Sequence, residues 1–257
     1  MLDIKDIKLV AFDLDGTVYY GDELIEGAND TIGFFRKNGC KVCFLTNNST
    51  KTRLQIYEKL HGIGVKCEPN EVMTSGFVAA DYVRKRNISN VYISGSENLI
   101  REFEGLGVNV VDEGKAENLV IGYNPMFSYD DLSKAVRVAI KSQMILACNK
   151  EKLYPGKDKV LLPGCGAMVA AIEFCAGRKA DIVTGKPNTD MINFVAQHYN
   201  TEITHTLMVG DTYESDMVMA INAKAMSVYV GKERYDNVIS VKSIKEIPAI
   251  IKNRKAV

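Results

Sequence analysis

Two aspartates near the start of the chain are spaced so that both could act on one reacting centre. Asp13 and Asp15 follow the apolar run 9–11 and precede Gly16. A short apolar run that ends in a polar, glycine-containing turn is typical of a buried strand leading into a site, although the same residues could simply end a strand. On an extended chain, residues i and i+2 point to the same side, so the two carboxylates are predicted to lie side by side. Such a pair can supply a nucleophile or metal ligand beside a general acid.

Polar residues also end two other predicted strands. Thr46 and Asn47 follow one of them, Gly210 and Asp211 follow the other, and Lys186 follows a further short apolar segment. Each of these motifs alone more often only ends a strand or lies on the surface. In a parallel sheet, however, the carboxyl ends of the strands lie at one edge, where ligands bind. We therefore predict that these distant motifs meet at one site.

This set of side chains suits phosphoryl transfer to a carboxylate. Asp13 would attack phosphorus and form an aspartyl-phosphate, while Asp15 would protonate the leaving alcohol and then deprotonate the attacking water. Asp13 and Asp211 can hold Mg²⁺ through oxygen atoms, and Lys186 adds a second positive charge against the anionic ester. The hydroxyl of Thr46 and the backbone N–H groups after it would bind phosphate oxygens.

The elements that would position these residues alternate between strands and helices, which is typical of an α/β fold with a parallel sheet and right-handed crossovers. Strands are predicted at 9–11, 41–45, 90–95, 108–111, 119–121, 144–148, 182–183, 206–209 and 227–230. A further hairpin is predicted at 18–25. Helices are predicted at 28–35, 54–60, 97–103, 132–140, 191–199, 217–221 and 244–251.

The order of these elements predicts an insertion. Residues 1–80 and 182–257 are predicted to form the core domain around one parallel sheet, and residues 81–181 to form a second α/β unit inserted into it. About a hundred residues are enough for a small domain with a core of its own.

Composition favours a small-molecule partner. Lys plus Arg number 32 and Asp plus Glu number 32, so no global charge would recruit nucleic acid or an anionic membrane. The N-terminal residues 1–6 lack the apolar core of a signal peptide. The least charged stretch, 160–172, is broken by proline and glycine and is too short to span a bilayer. A cytoplasmic protein is expected.

Cysteine and histidine give little support to other kinds of site. Cys40 and Cys43 have the spacing of a redox pair, but in a strand this spacing points the two thiols to opposite faces. The remaining cysteines and the three histidines lack metal-ligand spacing. We therefore expect neither a zinc site nor a histidine-based triad.

The motifs together resemble the haloacid dehalogenase (HAD) superfamily of phosphatases, and in particular the NagD-like, para-nitrophenyl phosphatase group with an α/β (type C2) cap. The resemblance covers essentially the whole chain. The four motifs that carry it, in chain order, are Asp13-Leu14-Asp15-Gly16-Thr17, Thr46-Asn47-Asn48, Gly185-Lys186-Pro187 and Gly210-Asp211 through Asp216.

This resemblance implies a Rossmann-like core, an inserted cap domain and a Mg²⁺ cofactor. The metal would be held by the side chains of Asp13 and Asp211 and by the backbone carbonyl of Asp15. Asp216 would be a further carboxylate that either binds the metal or supports a ligand.

The resemblance also assigns substrate contacts. Thr46, Asn47, Asn48 and Lys186 would bind the phosphate. Tyr154 lies in the region where related phosphatases place an aromatic residue or histidine toward the substrate.

The predicted function is therefore Mg²⁺-dependent hydrolysis of a small phosphorylated metabolite, such as a sugar phosphate. Two alternatives remain at this stage: a phosphotransferase or phosphomutase that uses the same site, and a non-catalytic protein that binds phosphometabolites. The presence of a general acid beside the nucleophile argues against a mere binder. No nucleic-acid or membrane partner is expected, and exposed cap surfaces are compatible with a homodimer.

Overall fold

The computed structural model describes residues 2–155 and 160–251. Within them the strands, numbered β1 to β14 in chain order, are Leu9–Asp13, Tyr19–Tyr20, Glu23–Leu24, Lys41–Thr46, Val72–Thr74, Val91–Ser94, Asn118–Ile121, Met144–Ala147, Leu153–Pro155, Leu161–Pro163, Ile182–Val183, Thr206–Gly210, Met226–Val230 and Ile239–Val241. The α-helices in the same residues, numbered α1 to α9, are Ala28–Lys37, Arg53–Gly62, Ser75–Lys85, Glu97–Gly105, Tyr129–Lys141, Cys165–Ala176, Thr189–His198, Val218–Ala223 and Ile247–Ile250.

The chain divides into two compact units. The first comprises Met1–Thr46, Ile56–Met73 and Lys186–Val257, and the second comprises Asn47–Gln55 and Thr74–Gly185. Each unit contains a sheet and at least one hydrophobic core of its own. The predicted α/β class, with a parallel-sheet core and an inserted α/β unit, is confirmed.

The first unit is built around a six-stranded sheet in the order β14-β13-β12-β1-β4-β5. The central strand β1 is buried throughout, and it pairs in parallel with β12 on one side and with β4 on the other. Its register places Phe12 opposite Val209 and Asp13 opposite Leu45. The carboxyl ends of β1, β4 and β12 therefore lie at one edge of the sheet, as the strand-end motifs predicted.

The second unit contains a four-stranded sheet in the order β11-β8-β7-β6, in which every pair of neighbours is parallel. Helices α3 and α4 cover one face through Ala79, Val83 and Phe103. Helices α5 and α6 cover the other face through Val138 and Ile172. Because both faces are covered, the strands of this sheet are almost entirely apolar, as is usual for parallel sheets.

The boundaries of the compact units differ from the predicted domain boundaries of 1–80, 81–181 and 182–257. Helix α3 begins at Ser75 and packs in the core of the second unit, so residues 74–80 belong there. Strand β11 was predicted to resume the core domain, but it pairs with β8 at the edge of the second sheet. Residues 47–55, which follow β4, also lie in the second unit.

Several elements differ from prediction. Residues 108–111 do not form a strand; only Val110 makes an isolated bridge, to Val91. The strands β5, β9, β10 and β14 and the helix α3 were not predicted. In the described part of the chain, no helix is both long enough and apolar enough to cross a membrane.

Candidate active site

The first motif leaves the sheet in a tight loop. Strand β1 ends at Asp13, and the carbonyl of Leu14 accepts hydrogen bonds from the backbone N–H groups of Val18 and Tyr19, at 2.9 and 3.2 Å. Gly16 has a positive φ of 88°, which favours glycine, and a Cβ at this position would overlap the carboxylate of Asp211. Glycine is therefore required at position 16 for both backbone conformation and space.

The two aspartates of this motif have different surroundings. Asp13 is buried, whereas Asp15 is exposed and its Oδ2 accepts a hydrogen bond of 3.0 Å from the hydroxyl of Tyr19. Desolvation by the surrounding protein raises the pKa of Asp15, and the Tyr19 hydroxyl and the ammonium of Lys59 act in the opposite direction. A carboxyl whose pKa is raised is suited to donate a proton.

Lys186 joins the first motif to the fourth. Its ammonium donates to Oδ1 of Asp13 and, at 2.7 Å, to Oδ1 of Asp216. The residue is 3% exposed. Burial lowers the pKa of Lys186, but the two carboxylates outweigh this effect and raise the pKa above its ordinary value. Lys186 is thus a fixed positive charge beside the predicted nucleophile.

The fourth motif brings two further carboxylates to the same place. After β12, the turn Tyr213–Met217 carries the fully buried Asp216 back toward the strand end, where its Oδ2 accepts from the N–H of Thr212 at 3.2 Å. A Cβ on Gly210 would overlap this carboxylate. Asp211 accepts a 3.1 Å hydrogen bond from the hydroxyl of Thr17. Thr17 therefore orients a predicted metal ligand.

The resulting cluster suits a hard divalent cation. Carboxylate oxygens of Asp13, Asp211 and Asp216 lie within 4.8 Å of one another, and Lys186 supplies one compensating charge. Burial and the neighbouring Asp13 raise the pKa of Asp211 to about 7. Burial also raises the pKa of Asp216 to about 7, although Lys186 opposes this. The cluster carries more negative charge than the protein neutralises, and a set of oxygen donors is what Mg²⁺ prefers.

The predicted phosphate-binding residues divide between the two units. Thr46, at the end of β4, is 7% exposed and belongs to the first unit. Asn47 and Asn48 belong to the second unit. Oδ1 of Asn48 accepts from the N–H groups of Thr50 and Lys51, both at 2.9 Å, and so folds the loop. Phosphate binding by Thr46, Asn47 and Asn48 stays a prediction.

Tyr154, on β9 of the second unit, is paired with a tyrosine that sequence reasoning missed. The hydroxyls of Tyr154 and Tyr123 are 2.8 Å apart. Burial, with a contribution from Tyr154, raises the pKa of Tyr123 to about 12. The N–H of Tyr123 donates to Oγ of Ser49, at 3.0 Å, in the loop after β4. No spacing rule links these residues, so only the fold reveals the pair.

Thr17 and Tyr19 are the other residues that sequence reasoning left without a role. Thr17 stands in the quoted first motif, and Tyr19 follows Asp15 by four residues. The signal available was their position in a polar loop after the strand, but the sequence does not show which acidic side chain each hydroxyl would reach.

Comparison with known proteins agrees with this geometry. The model of the family described as haloacid dehalogenase-like hydrolase matches residues 10–109, and a HAD-hydrolase-like model matches residues 183–251. The sugar-phosphatase AraL of Bacillus subtilis (strain 168) is 34% identical over 212 residues, which cover 82% of this chain and 78% of that protein.

Solved structures give the same result. The crystal structure of 4-nitrophenylphosphatase from Thermotoga maritima superposes with a TM-score of 0.90 at 27% identity, covering 97% of this chain and 99% of that one. A putative NagD protein superposes with a TM-score of 0.88 at 28% identity, covering 95% of this chain and 97% of that one. The resemblance inferred from the four motifs is confirmed: the chain belongs to the haloacid dehalogenase-like hydrolases, among NagD-like and 4-nitrophenylphosphatase relatives.

Proposed function

We propose that this protein is a Mg²⁺-dependent phosphatase that hydrolyses small phosphate monoesters through an aspartyl-phosphate on Asp13. The observation that carries the proposal is the buried ion pair between Asp13 and Lys186 beside the carboxylates of Asp211 and Asp216. A structural carboxylate would not need two further acids next to it. A nucleophile that must approach an anionic phosphate does need positive charge close by.

The residues fit the two half-reactions. Asp13 attacks phosphorus while the bond to the leaving oxygen breaks, and Asp15 gives its proton to the departing alcohol. Asp15 then takes a proton from the water that attacks the phosphorus of the aspartyl-phosphate, which releases inorganic phosphate and restores Asp13. Lys186 holds Asp13 in place, and the exposed position of Asp15 gives it access to substrate and water.

Asp13 and Asp211 would hold Mg²⁺, together with the backbone carbonyl of Asp15. Asp216 accepts hydrogen bonds from Lys186 and Thr212. It would either support the metal ligands without contacting the metal or serve as a further ligand. When bound, the metal neutralises charge on the phosphate and on the attacking carboxylate. Thr46, Asn47 and Asn48 would bind phosphate oxygens.

A small phosphorylated metabolite is the proposed substrate. The relatives described above are named for sugar phosphates and for 4-nitrophenyl phosphate, and they cover 82% and 97% of this chain. We propose a sugar phosphate or a similar metabolite, with Tyr154 as one of the residues that contact it. Phosphorylated metabolites ranked by kcat/KM would identify it.

Replacing the nucleophile tests the mechanism. Asp13→Asn should lower kcat on 4-nitrophenyl phosphate by about 10³-fold or more, because an amide cannot form the phosphoenzyme. Asp30→Asn, at an exposed position in the first turn of α1, is the matched control and should retain wild-type activity. Circular dichroism should show both variants folded. If Asp13→Asn kept a tenth of the activity, Asp13 would not be the nucleophile. If the wild-type protein gave no turnover with any phosphate ester, it would be a binding protein instead.

A further inference from the structure

Tyr19 lies directly beside the proposed general acid and donates a hydrogen bond to it. Its hydroxyl oxygen is 3.0 Å from Oδ2 of Asp15. Tyr19 is 2% exposed, whereas Asp15, four residues earlier in the chain, is exposed. Both residues belong to the first unit. A carboxyl group that must give and take protons thus has one of its two oxygens bonded to a buried side chain.

The backbone around the two residues forms a closed turn. The N–H of Gly16 donates to the carbonyl of Tyr19 at 2.8 Å, and the N–H of Tyr19 donates to the carbonyl of Leu14 at 3.2 Å. Tyr19 also pairs with Leu24 in the hairpin of β2 and β3. These bonds fix the backbone of Tyr19 relative to that of Asp15, so the ring starts from a defined position.

The ring of Tyr19 is held by the core and by a cation. It packs in the hydrophobic core of the first unit. The ammonium of Lys59 lies 4.0 Å from the centroid of the ring and also pairs at 3.7 Å with Asp22, in the turn between β2 and β3. A cation over an aromatic face is attracted by the ring. Both contacts restrict the ring and, with it, the direction of its hydroxyl.

The hydrogen bond makes the two oxygens of Asp15 different. Because the hydroxyl of Tyr19 supplies the proton, Oδ2 serves as an acceptor, either in the carboxylate or as the carbonyl oxygen of the protonated acid. Burial and the charge of Asp15 raise the pKa of Tyr19 well above its ordinary value, so the hydroxyl keeps its proton. Oδ1 is then the oxygen that is left to carry a transferable proton.

We infer that Tyr19 is a positioning residue that holds the carboxyl group of Asp15 in the orientation in which Oδ1 exchanges protons with the leaving group and with water. This inference rests on the proposed function, in which Asp15 is the general acid and base. Oδ1 gives its proton to the leaving oxygen while the bond from phosphorus to that oxygen breaks, and it later takes a proton from the attacking water. Proton transfer depends on the position of the acid, so a carboxyl group that rotates freely should transfer its proton less efficiently.

Two esters that differ chiefly in their leaving group test the inference. 4-Nitrophenyl phosphate releases an anion that is stable without protonation, whereas phenyl phosphate releases a more basic oxygen that depends more on a general acid. Tyr19→Phe removes the hydroxyl and keeps the ring. Tyr57→Phe is the matched control, because it removes a hydroxyl from a half-buried ring of the same unit, which stacks on His61 in α2. We measure kcat/KM for both esters, which reports formation of the aspartyl-phosphate, and the Tm of each protein.

Tyr19→Phe should lower kcat/KM about tenfold for phenyl phosphate and less than about threefold for 4-nitrophenyl phosphate. Tyr57→Phe should stay within about twofold of wild type for both esters. A merely structural role of Tyr19 would lower kcat/KM equally for the two esters, together with the Tm. Equal losses with the two esters, or no loss with phenyl phosphate, would overturn the inference.

A second comparison asks whether Tyr19 acts through Asp15. Asp15→Asn has no carboxyl proton to give. Adding Tyr19→Phe to Asp15→Asn should therefore change kcat/KM for phenyl phosphate by less than about twofold, because the two residues act as one unit. If Tyr19→Phe cost as much in this background as in wild type, Tyr19 would act independently of Asp15, contrary to the inference.

A readout that needs no turnover separates this inference from the proposed function. The hydroxyl proton of Tyr19, assigned in NMR spectra by its loss in Tyr19→Phe, should exchange slowly in wild type and in Tyr57→Phe. In Asp15→Asn it should move upfield and exchange faster, because a neutral amide oxygen is a weaker acceptor than a carboxylate. An unchanged resonance in Asp15→Asn would overturn the inference even if the protein were an active phosphatase. A wild-type protein without activity on either ester would refute the proposed function, and with it the role of Asp15 that Tyr19 serves.

Discussion

Lys186 is the residue on which the candidate site depends most directly. It is almost completely buried, and it pairs with Asp13 from the first motif and Asp216 from the fourth. A buried ammonium is costly unless it is paired, and two carboxylates that share one cation remain partly uncompensated. These contacts therefore fix the position of Asp13 and leave the site with a net negative charge.

Gly16 shows how little space the site allows. Gly16→Ala should lower kcat/KM about 100-fold, because the added Cβ overlaps the carboxylate of Asp211 and must displace it. Gly39→Ala is the matched control: Gly39 has a similar positive φ of 80°, and a Cβ there meets nothing within 4 Å.

Both alanine variants should lose about 1 kcal/mol from the strained backbone alone. Only Gly16→Ala should lose activity, and only it should bind Mg²⁺ more weakly. Equal kcat/KM in the two variants would show that Asp211 tolerates displacement and is not essential to the site.

Residue types and their order were enough to predict the acids and the lysine, but not all of their surroundings. Asp13 and Asp15 were predicted to lie side by side on an extended strand. β1 ends at Asp13 and the chain then turns, so Asp15 is exposed and accepts a hydrogen bond from Tyr19, while the charge of Asp13 is still among the causes that raise the pKa of Asp15. The partner of a side chain in such a loop depends on the turn, and the turn depends on packing that the sequence does not display.

At the level of elements, prediction succeeded where hydrophobic pattern and strand ends coincided. β1, β4 and β12 were all found, because each is an apolar run followed by a polar turn. β5 is only three residues long and leads directly into α3, so it gave no periodic signal. β11 is ambiguous because two apolar residues cannot show which sheet they will join.

Helix α6 ends near a cluster of ion pairs around the buried Glu173, and this cluster should stabilise the second unit in a pH-dependent way. Glu173 is 6% exposed and pairs with Lys150 at 2.6 Å and Lys179 at 3.1 Å, and its Oε1 accepts from the N–H of Ala180 at 2.7 Å. Burial raises the pKa of Glu173, but these partners outweigh it and hold the pKa below 4.5.

Glu173→Gln should lower the free energy of unfolding of the second unit by about 2 kcal/mol at pH 7, because it leaves two ammonium groups without their anion. A carboxyl whose pKa is lower in the folded state than in the unfolded state, where it is 4.5, stabilises the fold at pH values above 4.5. This stabilisation is lost as the pH falls through the folded-state pKa. The difference between wild type and variant should therefore be constant from pH 7 to about 5 and shrink below pH 4.5.

Urea unfolding at several pH values measures this difference. Glu104→Gln, on the exposed face of α4, is the control and should change stability by less than about 0.5 kcal/mol at every pH. Lys179→Met should cost less than Glu173→Gln, because the Lys179 side chain is 82% exposed and its ion pair is screened by solvent. A Glu173→Gln effect that did not shrink in acid would show that charge is not its cause.

The whole molecule has balanced charge, with 32 basic and 32 acidic residues. Attraction of an anionic substrate must therefore come from the site rather than from the overall field. Yet the described site concentrates three carboxylates around one lysine. A divalent cation that binds this cluster would neutralise its local charge and stabilise the folded chain.

Mg²⁺ should therefore raise the Tm of the wild-type protein. A ligand that binds only the folded state stabilises it by about 2.7 kcal/mol at a hundredfold excess over its Kd. For a chain of this size, that corresponds to roughly 5–10 °C in the transition of the first unit. Addition of a chelator should reverse the shift and stop hydrolysis together.

Asp211→Asn separates the metal effect from general stability. The amide oxygen of asparagine can still accept from Thr17, and removal of one of three repelling carboxylates should leave the metal-free variant at least as stable as metal-free wild type. Its Tm should nevertheless respond little to Mg²⁺, whereas Asp30→Asn should respond like wild type. A full Mg²⁺ shift in Asp211→Asn would place the cation elsewhere. If the metal-free variant were less stable than metal-free wild type, the hydrogen bond from Thr17 to the Asp211 carboxylate would stabilise the fold by more than the repulsion between carboxylates destabilises it.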